Sequence, residues 1–443
     1  MVALDHTHAP SARSWVASAD AAGSDFPIQN LPIAVFHRHG SGEAMRGGIA
    51  IGDQVVDLAA LAQTQLLARE AQEACELAAQ PHLNDYFALG RAAWRALRHG
   101  VFDLLWDGAP AGVRERVQAC LVPQAQAGYG LPARIGDYTD FYTSIHHARN
   151  VGRLVRPDNP LTPNFQWLPI AYHGRASSVR VGHGGFAFRR PMGQAMPPGA
   201  PTPVYGACSR LDFELEMGFF IGPGNTLGEP IPLAQAEDQI AGMVLLNDWS
   251  ARDHQFWEMD PLGPFLGKNF CTTISPWVVS LDALAPYRVP FERPADEPQP
   301  LAYLDGATNR DAGSIDVQLE VRLDTPAHRE RHAEPSAITR TSFRHQYWTI
   351  AQMVAQHTVG GCDLQPGDLL GTGTISGPTP PEAGAIVELS KGGREPVTLA
   401  ATGEQRAFLQ DGDTVILRGW CEKPGAARIG FGECRGTVLP AIG

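Results

Sequence analysis

The sequence predicts a chain that is mostly β with some α, in two parts: a mixed helix and strand domain over residues 1–130, and a larger sandwich or roll of strands over residues 131–443. Three observations predict it. Gly and Pro are unevenly spread, 12 in residues 1–100 against 25 in residues 151–250, so the chain becomes turn-rich after its first quarter. Residues 58–79 are rich in Ala and Leu and hold neither Gly nor Pro, as a helix should. From about residue 133 onward, short β-rich segments alternate with Gly/Pro turns.

The elements follow in order. Pro32-Ile-Ala-Val-Phe and Gly47-Gly-Ile-Ala-Ile-Gly-Asp-Gln-Val-Val-Asp read as two or three short strands joined by glycine turns. Helices are expected over 58–79, 84–105 and 113–121, and a linker over 123–130. In the larger part, strands are expected over 204–221, 274–281, 315–323, 385–389 and 413–420. Helices are expected over 232–243 and 348–357, the latter closed by Gly360-Gly361 as a C-cap.

Composition excludes several functions. With 443 residues, 44% hydrophobic, the chain can bury sizeable cores. A net charge of −12 offers no attraction to phosphate backbones or anionic lipid, so neither nucleic acid nor membrane is an expected partner. No apolar run reaches the 18 residues of a membrane span, and the first 25 residues lack the apolar core of a signal peptide. The seven cysteines are scattered and form no C-x-x-C pair, which fits a reducing cytosol.

Chemistry concentrates in a few segments. In Leu211-Asp-Phe-Glu-Leu-Glu-Met, strand alternation puts Glu214 and Glu216 on one face, where two like charges need a compensating cation. The rival reading is a solvated strand face. A second acid favours the first reading, because the apolar run Met243-Val-Leu-Leu-Asn ends directly on Asp248. With Asp140 as a fourth oxygen donor, this set suits a hard divalent cation, Mg²⁺, Ca²⁺ or Mn²⁺. Lys268 sits among apolar and turn residues; a Walker A reading fails there on spacing and on Asn269. His146 and His147 are adjacent candidates for a base, which the residues alone leave undecided. Gly371-Thr-Gly-Thr-Ile-Ser-Gly misses the dinucleotide spacing and reads as a turn.

Eight runs then match a family together and in order. They are Asp140-Phe-Tyr-Thr-Ser-Ile-His-His147-Ala-Arg-Asn-Val-Gly, Tyr172-His-Gly-Arg-Ala-Ser-Ser, Arg190-Pro-Met-Gly-Gln, Tyr205-Gly-Ala-Cys, Leu211-Asp-Phe-Glu-Leu-Glu-Met, Asn247-Asp-Trp-Ser-Ala-Arg-Asp, Pro261-Leu-Gly-Pro-Phe-Leu-Gly-Lys and Gly373-Thr-Ile-Ser-Gly-Pro. The chain resembles the fumarylacetoacetase (fumarylacetoacetate hydrolase) family from about Pro32 to Arg428-Ile-Gly-Phe-Gly-Glu-Cys near its end.

The resemblance implies an SH3-like barrel at the N-terminus, a C-terminal mixed β-sandwich roll and a homodimer. It implies metal ligation by Asp140, Glu214, Glu216 and Asp248, with Lys268 and Thr272 at a further Mg²⁺ site. It places the catalytic histidine at His147 rather than His146, oriented by Glu388, and assigns hydrogen-bond donation to Arg252, Gln255 and Lys268. Substrate-contacting positions fall on Tyr142, Arg156, Tyr172, Gln255, Met259 and Thr374. Met259 stands where the family has a tyrosine, and Lys391-Gly392-Gly393 replaces a Trp-Lys-Gly. The implied reaction is hydrolysis of the carbon–carbon bond of a small diketo acid, in tyrosine and phenylalanine breakdown. The alternatives are another superfamily hydrolase or decarboxylase of the acylpyruvase kind, and a non-catalytic metal-binding assembly protein.

Overall fold

The computed structural model describes residues 3–443. Its N-terminal part is a five-stranded antiparallel sheet in the order Leu121–Pro123, Gln54–Asp57, Arg46–Ile51, Ile33–Arg38, Ala127–Gly130. The expected linker is therefore largely structure: Ala127–Gly130 pairs along Ile33–Arg38, so the chain closes the sheet before leaving it. We propose that the domain boundary lies at that exit, between residues 130 and 131.

Helices cover this sheet, but in shorter pieces than composition suggests. The 58–79 stretch is two helices, Leu58–Thr64 and Arg69–Ala78, broken where Gln65 adopts a left-handed conformation. The 84–105 stretch divides into Asn84–Ala88 and Arg91–Leu105.

The larger part is a sandwich. One layer is a seven-stranded mixed sheet ordered Ile170–Gly174, Tyr138–Tyr142, Leu369–Gly371, Leu215–Ile221, Ile240–Asp248, Thr272–Ile274, Val179–Val181. The other is a five-stranded sheet ordered Ser336–Ser342, Gln318–Asp324, Thr414–Cys421, Ile429–Leu439, Ala187–Arg189. Between them lies the largest core, with Leu215, Met217, Phe219, Met243 and Leu245 from one layer and Leu319, Val321, Val415 and Leu417 from the other.

Period-two alternation decides what the opposite face of the seven-stranded sheet carries. At one end, Tyr138, Phe220, Val244, Leu246, Ile274 and Leu369 share a core with the N-terminal helices. Moving along the same strands on the same face, the side chains become Asp140, Glu216, Asp248 and Thr272. One face is thus divided between an apolar half under the N-terminal domain and a polar half that carries the site.

Several expected elements differ: the 274–281 strand is Thr272–Ile274 followed only by isolated bridges at Val278 and Val279, and the 315–323 strand is split into Ser314–Ile315 and Gln318–Asp324 in different sheets. Residues 204–221 form three short strands rather than one. The 232–243 helix is a 3-10 turn, Leu233–Gln239, followed by the strand Ile240–Asp248, whose apolar run is buried on both faces of a central sheet position. The 385–389 strand is a short helix, Ile386–Leu389, because the Asp212 carboxylate accepts the Ile386 and Val387 N–H groups at 2.7 and 3.2 Å and so caps a helical turn. The later helix, Ile350–Thr358, is where the sequence puts it.

Candidate active site

Four strands meet at the site. Asp140 comes from Tyr138–Tyr142, Glu216 from Leu215–Ile221 and Asp248 from the end of Ile240–Asp248; their carboxylate oxygens lie within 4.8 Å of one another, all buried. Between the first two runs Leu369–Gly371, and Gly371 stands level with Asp140. A Cβ at Gly371 would lie 2.6 Å from Asp140 Oδ1 and 3.2 Å from Glu216 Oε2. Only a residue without a side chain lets two carboxylates converge across an intervening strand. Two residues on, the Gly373 N–H, in a backbone of φ +76°, donates to Asp140 Oδ1 at 3.2 Å and Glu216 Oε2 at 3.0 Å. The glycine run that reads as a plain turn in the sequence is what brings the acids together. Gly371→Ala is therefore expected to weaken divalent-cation binding at least tenfold while the chain still folds, measurable by calorimetric titration.

The charges in this cluster are unequally matched. Glu214 lies outside the tight trio: Arg252 NH1 is 2.8 Å from its Oε1 and the Lys268 ammonium bonds its Oε2. Burial pushes the Glu214 carboxyl up, but Lys268, Arg252 and His147 outweigh it and hold the group well below the carboxylate range. Asp248 takes Lys268 Nζ at 2.8 Å, the Tyr172 hydroxyl at 2.6 Å and the Thr272 hydroxyl at 3.1 Å. Asp140 and Glu216 have no cationic partner among the described residues, and Glu216 Oε1 is buried without a hydrogen bond. Burial, then the neighbouring carboxylates, drive the Asp140 and Glu216 carboxyls far above their usual range. Leaving such groups uncompensated costs several kcal/mol each. The all-oxygen donor set, the orphaned oxygen and the glycine gap fit a hard divalent cation.

Lys268 is fixed from behind. The Glu258 carboxylate accepts the N–H groups of Phe265, Leu266 and Gly267 at 2.8, 3.0 and 2.7 Å, pinning the turn that leads into it. Although burial lowers it, the Lys268 pKa is raised by Asp248 and Glu214, so Nζ stays an ammonium. It has no lone pair for a metal, and its contribution to the cluster is charge and hydrogen bonds.

A second constellation stands beside the first. His147, in the first turn of the helix Ile145–Val155, and Glu388, on Ile386–Leu389, are both buried, with Nδ1 and Oε1 2.6 Å apart. Asn150 donates to Glu388 Oε2 at 2.8 Å, and the Ser376 hydroxyl lies 2.9 and 3.0 Å from the two oxygens. Burial raises the Glu388 pKa, but His147 and these donors lower it further, leaving it below its usual value. With Nδ1 committed to a carboxylate, Nε2 is the nitrogen left to exchange a proton. Because Glu388 titrates lower folded than unfolded, it contributes stability above the unfolded carboxyl pKa that is lost as pH falls through the folded value. Glu388→Gln is expected to flatten the acid limb of a plot of Tm against pH.

Arg252 joins the two halves. Its Nε donates to Asp212 at 2.8 Å, its NH1 to Gln255 Oε1 at 3.1 Å, and its NH2 is buried without a partner. Asp212 in turn caps the helix that bears Glu388.

Two family profiles match the chain. Residues 29–132 match the family profile described as fumarylacetoacetase N-terminal, and residues 138–439 match fumarylacetoacetate (FAA) hydrolase C-terminal. The chain belongs to the fumarylacetoacetase family. It is 48% identical to the fumarylacetoacetase of Homo sapiens over 428 residues, covering 95% of this chain and 98% of that one. The Caenorhabditis elegans fumarylacetoacetase is 48% identical, with 94% and 97% covered, and the Arabidopsis thaliana one 45%, with 95% and 97% covered. A solved fumarylacetoacetate hydrolase from psychrophilic Exiguobacterium antarcticum shares the fold, with a TM-score of 0.50, 15% identity and 93% and 99% coverage. This family member thus has the mixed β and α fold expected of it, a curled N-terminal sheet followed by a C-terminal β-sandwich.

The remaining expected positions are less tightly drawn in. Tyr142 packs its ring 5.4 Å from the His147 ring, and Arg156 lies exposed at the end of the same helix as His147. Thr374 is buried in the glycine run. Met259 is exposed at the end of the helix Arg252–Glu258. Sequence reasoning missed Asn150, Asp212, Glu258, Gly371 and Ser376 as parts of the site. Asp212 is legible as a third acid in the Glu214 run, and Asn150, Gly371 and Ser376 lie within runs the sequence already singles out, but what each of them does shows only in the folded chain.

Proposed function

We propose that this fumarylacetoacetase-family chain hydrolyses 4-fumarylacetoacetate to fumarate and acetoacetate. The observation that supports it most is the pairing of a buried acid trio, two of whose members have no cationic partner among the described residues, with a buried His–Glu pair. Asp140, Glu216 and Asp248 would hold a divalent cation, with Glu214 a fourth acid at its edge and Thr272 fixing Asp248. When bound, Mg²⁺, Ca²⁺ or Mn²⁺ supplies Lewis acidity toward the diketone oxygens.

His147 takes a proton from water at Nε2, and the water oxygen bonds to the carbonyl carbon on the fumaryl side. Glu388 keeps the imidazole in the tautomer with a free Nε2 and stabilises the imidazolium that forms. Arg252, Gln255 and Lys268 donate hydrogen bonds to the oxygen that becomes negative; the partnerless Arg252 NH2 is a donor set aside for this. The carbon–carbon bond then breaks, its electron pair leaving with the acetoacetyl fragment, which takes a proton to complete the balance. Arg156 and Tyr142 bind a terminal carboxylate, the arginine through two parallel bonds. Tyr172, Thr374 and Met259 complete the substrate surface, Met259 without the hydroxyl a tyrosine would offer.

The same reading includes a homodimer in a reducing cytosol. Exposed Phe256, Trp257, Leu262, Phe265 and Leu266 next to the site support the first, and the absence of any disulfide among the seven cysteines supports the second. No helix of the described residues is long and apolar enough to cross a membrane. The deciding experiment follows the ultraviolet absorbance of fumarylacetoacetate with the purified protein. Turnover that stops on chelation and returns with added cation is expected; no turnover in cation-replete protein overturns the substrate.

A further inference from the structure

We propose a second metal site, for a zinc-type transition-metal ion, on the N-terminal domain, built from Asp5, His6, His99 and Asp103. It is independent of the acid trio in position, donor set and function.

The N-terminal segment lies along the helix Arg91–Leu105, tied there by Trp15 N–H and Ser14 Oγ donating to the Leu105 carbonyl. On that helix His99 and Asp103 are four residues apart and so stand on one face. The segment delivers Asp5 and His6 to the same place. Ligand atoms of Asp5, His6 and His99 lie within 4.8 Å of one another. His99 Nε2 is 2.8 Å from Asp5 Oδ2, and His6 Nε2 is 3.3 Å from Asp103 Oδ1. The two imidazole rings meet edge-on at 4.9 Å.

This donor set differs in kind from the trio. Two imidazoles and two carboxylates suit Zn²⁺ or Cu²⁺, which prefer nitrogen, over Mg²⁺ or Ca²⁺, which take oxygen. His6 and Asp103 are half-exposed, so an ion reaches the cluster from solvent. An ion would replace the proton shared between His99 Nε2 and Asp5 Oδ2. The competing group is Arg95, whose NH2 donates to the same Oδ2 at 2.7 Å; it must swing aside, whereas Asp5 Oδ1 keeps its bonds from Thr7. Bound there, the ion would staple the N-terminal segment to the helix.

Cu²⁺ is the probe, titrated into untagged full-length protein in excess Mg²⁺ and followed by electron paramagnetic resonance. One equivalent is expected with coupling to two imidazole nitrogens, displaced by Zn²⁺. His6→Ala and His99→Ala are each expected to leave one coupled nitrogen and to weaken binding by more than about 100-fold, beyond the roughly 10- to 100-fold that loss of an outer-shell partner costs. Fumarylacetoacetate turnover in both variants should match the parent, reporting that they fold. Two-nitrogen coupling that survives in the His6→Ala, His99→Ala double variant, or a parent signal without two nitrogens, overturns the site. His37→Ala, in another histidine pair with His39, should change nothing.

Discussion

His147→Ala is expected to lower kcat by about 10²- to 10⁴-fold, the usual contribution of a positioned base, with cation affinity unchanged. The two readouts separate because His147 hydrogen-bonds Glu388 and not the acid trio. The loss should be larger than in Glu388→Gln, which keeps the imidazole and removes only the charge that orients it and stabilises its protonated form. Stopped-flow turnover of fumarylacetoacetate, alongside calorimetric cation titration, checks both. A variant retaining full activity would move the base elsewhere, and His146, one residue away on the outer side of the helix turn, would be the next position to replace.

Glu216→Gln is expected to abolish measurable turnover, because losing a cation that supplies several kcal/mol of transition-state stabilisation costs on the order of 10³ in rate. Its effect on stability should have the opposite sign. Without cation, the parent confines the Asp140 and Glu216 carboxyls in the interior with no positive partner, where they must either repel each other as charges or hold a proton against their ordinary acidity, and replacing one by a neutral amide removes that cost. The cation-free variant should therefore melt above the cation-free parent. Added Mg²⁺ or Ca²⁺ should raise the Tm of the parent and leave the variant nearly unmoved. Scanning calorimetry with and without chelator tests all four conditions. A variant that gains as much from cation as the parent would show that the ion is held elsewhere.

Much of the site is legible in the amino-acid sequence. Glu214, Glu216 and Asp248 stand out because acids interrupt apolar strand sequence, where alternation predicts a side chain that solvent cannot simply satisfy. His147 is legible only through the spacing to Asn150-Val-Gly that the family resemblance supplies. Two features are not legible. Strand alternation puts Glu214 and Glu216 together, yet the structure gives them opposite fates: Glu216 joins the trio, while Glu214 sits beyond the strand proper and is claimed by Arg252 and Lys268. Residues 385–389 look like a strand on composition, and only the distant Asp212 turns them into the helical turn that aims Glu388.

Family, two-part architecture, acidic donor set and candidate base are all written in the order of residues, because these depend on local composition, spacing and the succession of motifs. Which acids share an ion and which are neutralised emerges only when the chain is folded. That outcome depends on pairing between strands more than a hundred residues apart, and on the missing side chain of Gly371, which leaves the gap where Asp140 and Glu216 meet.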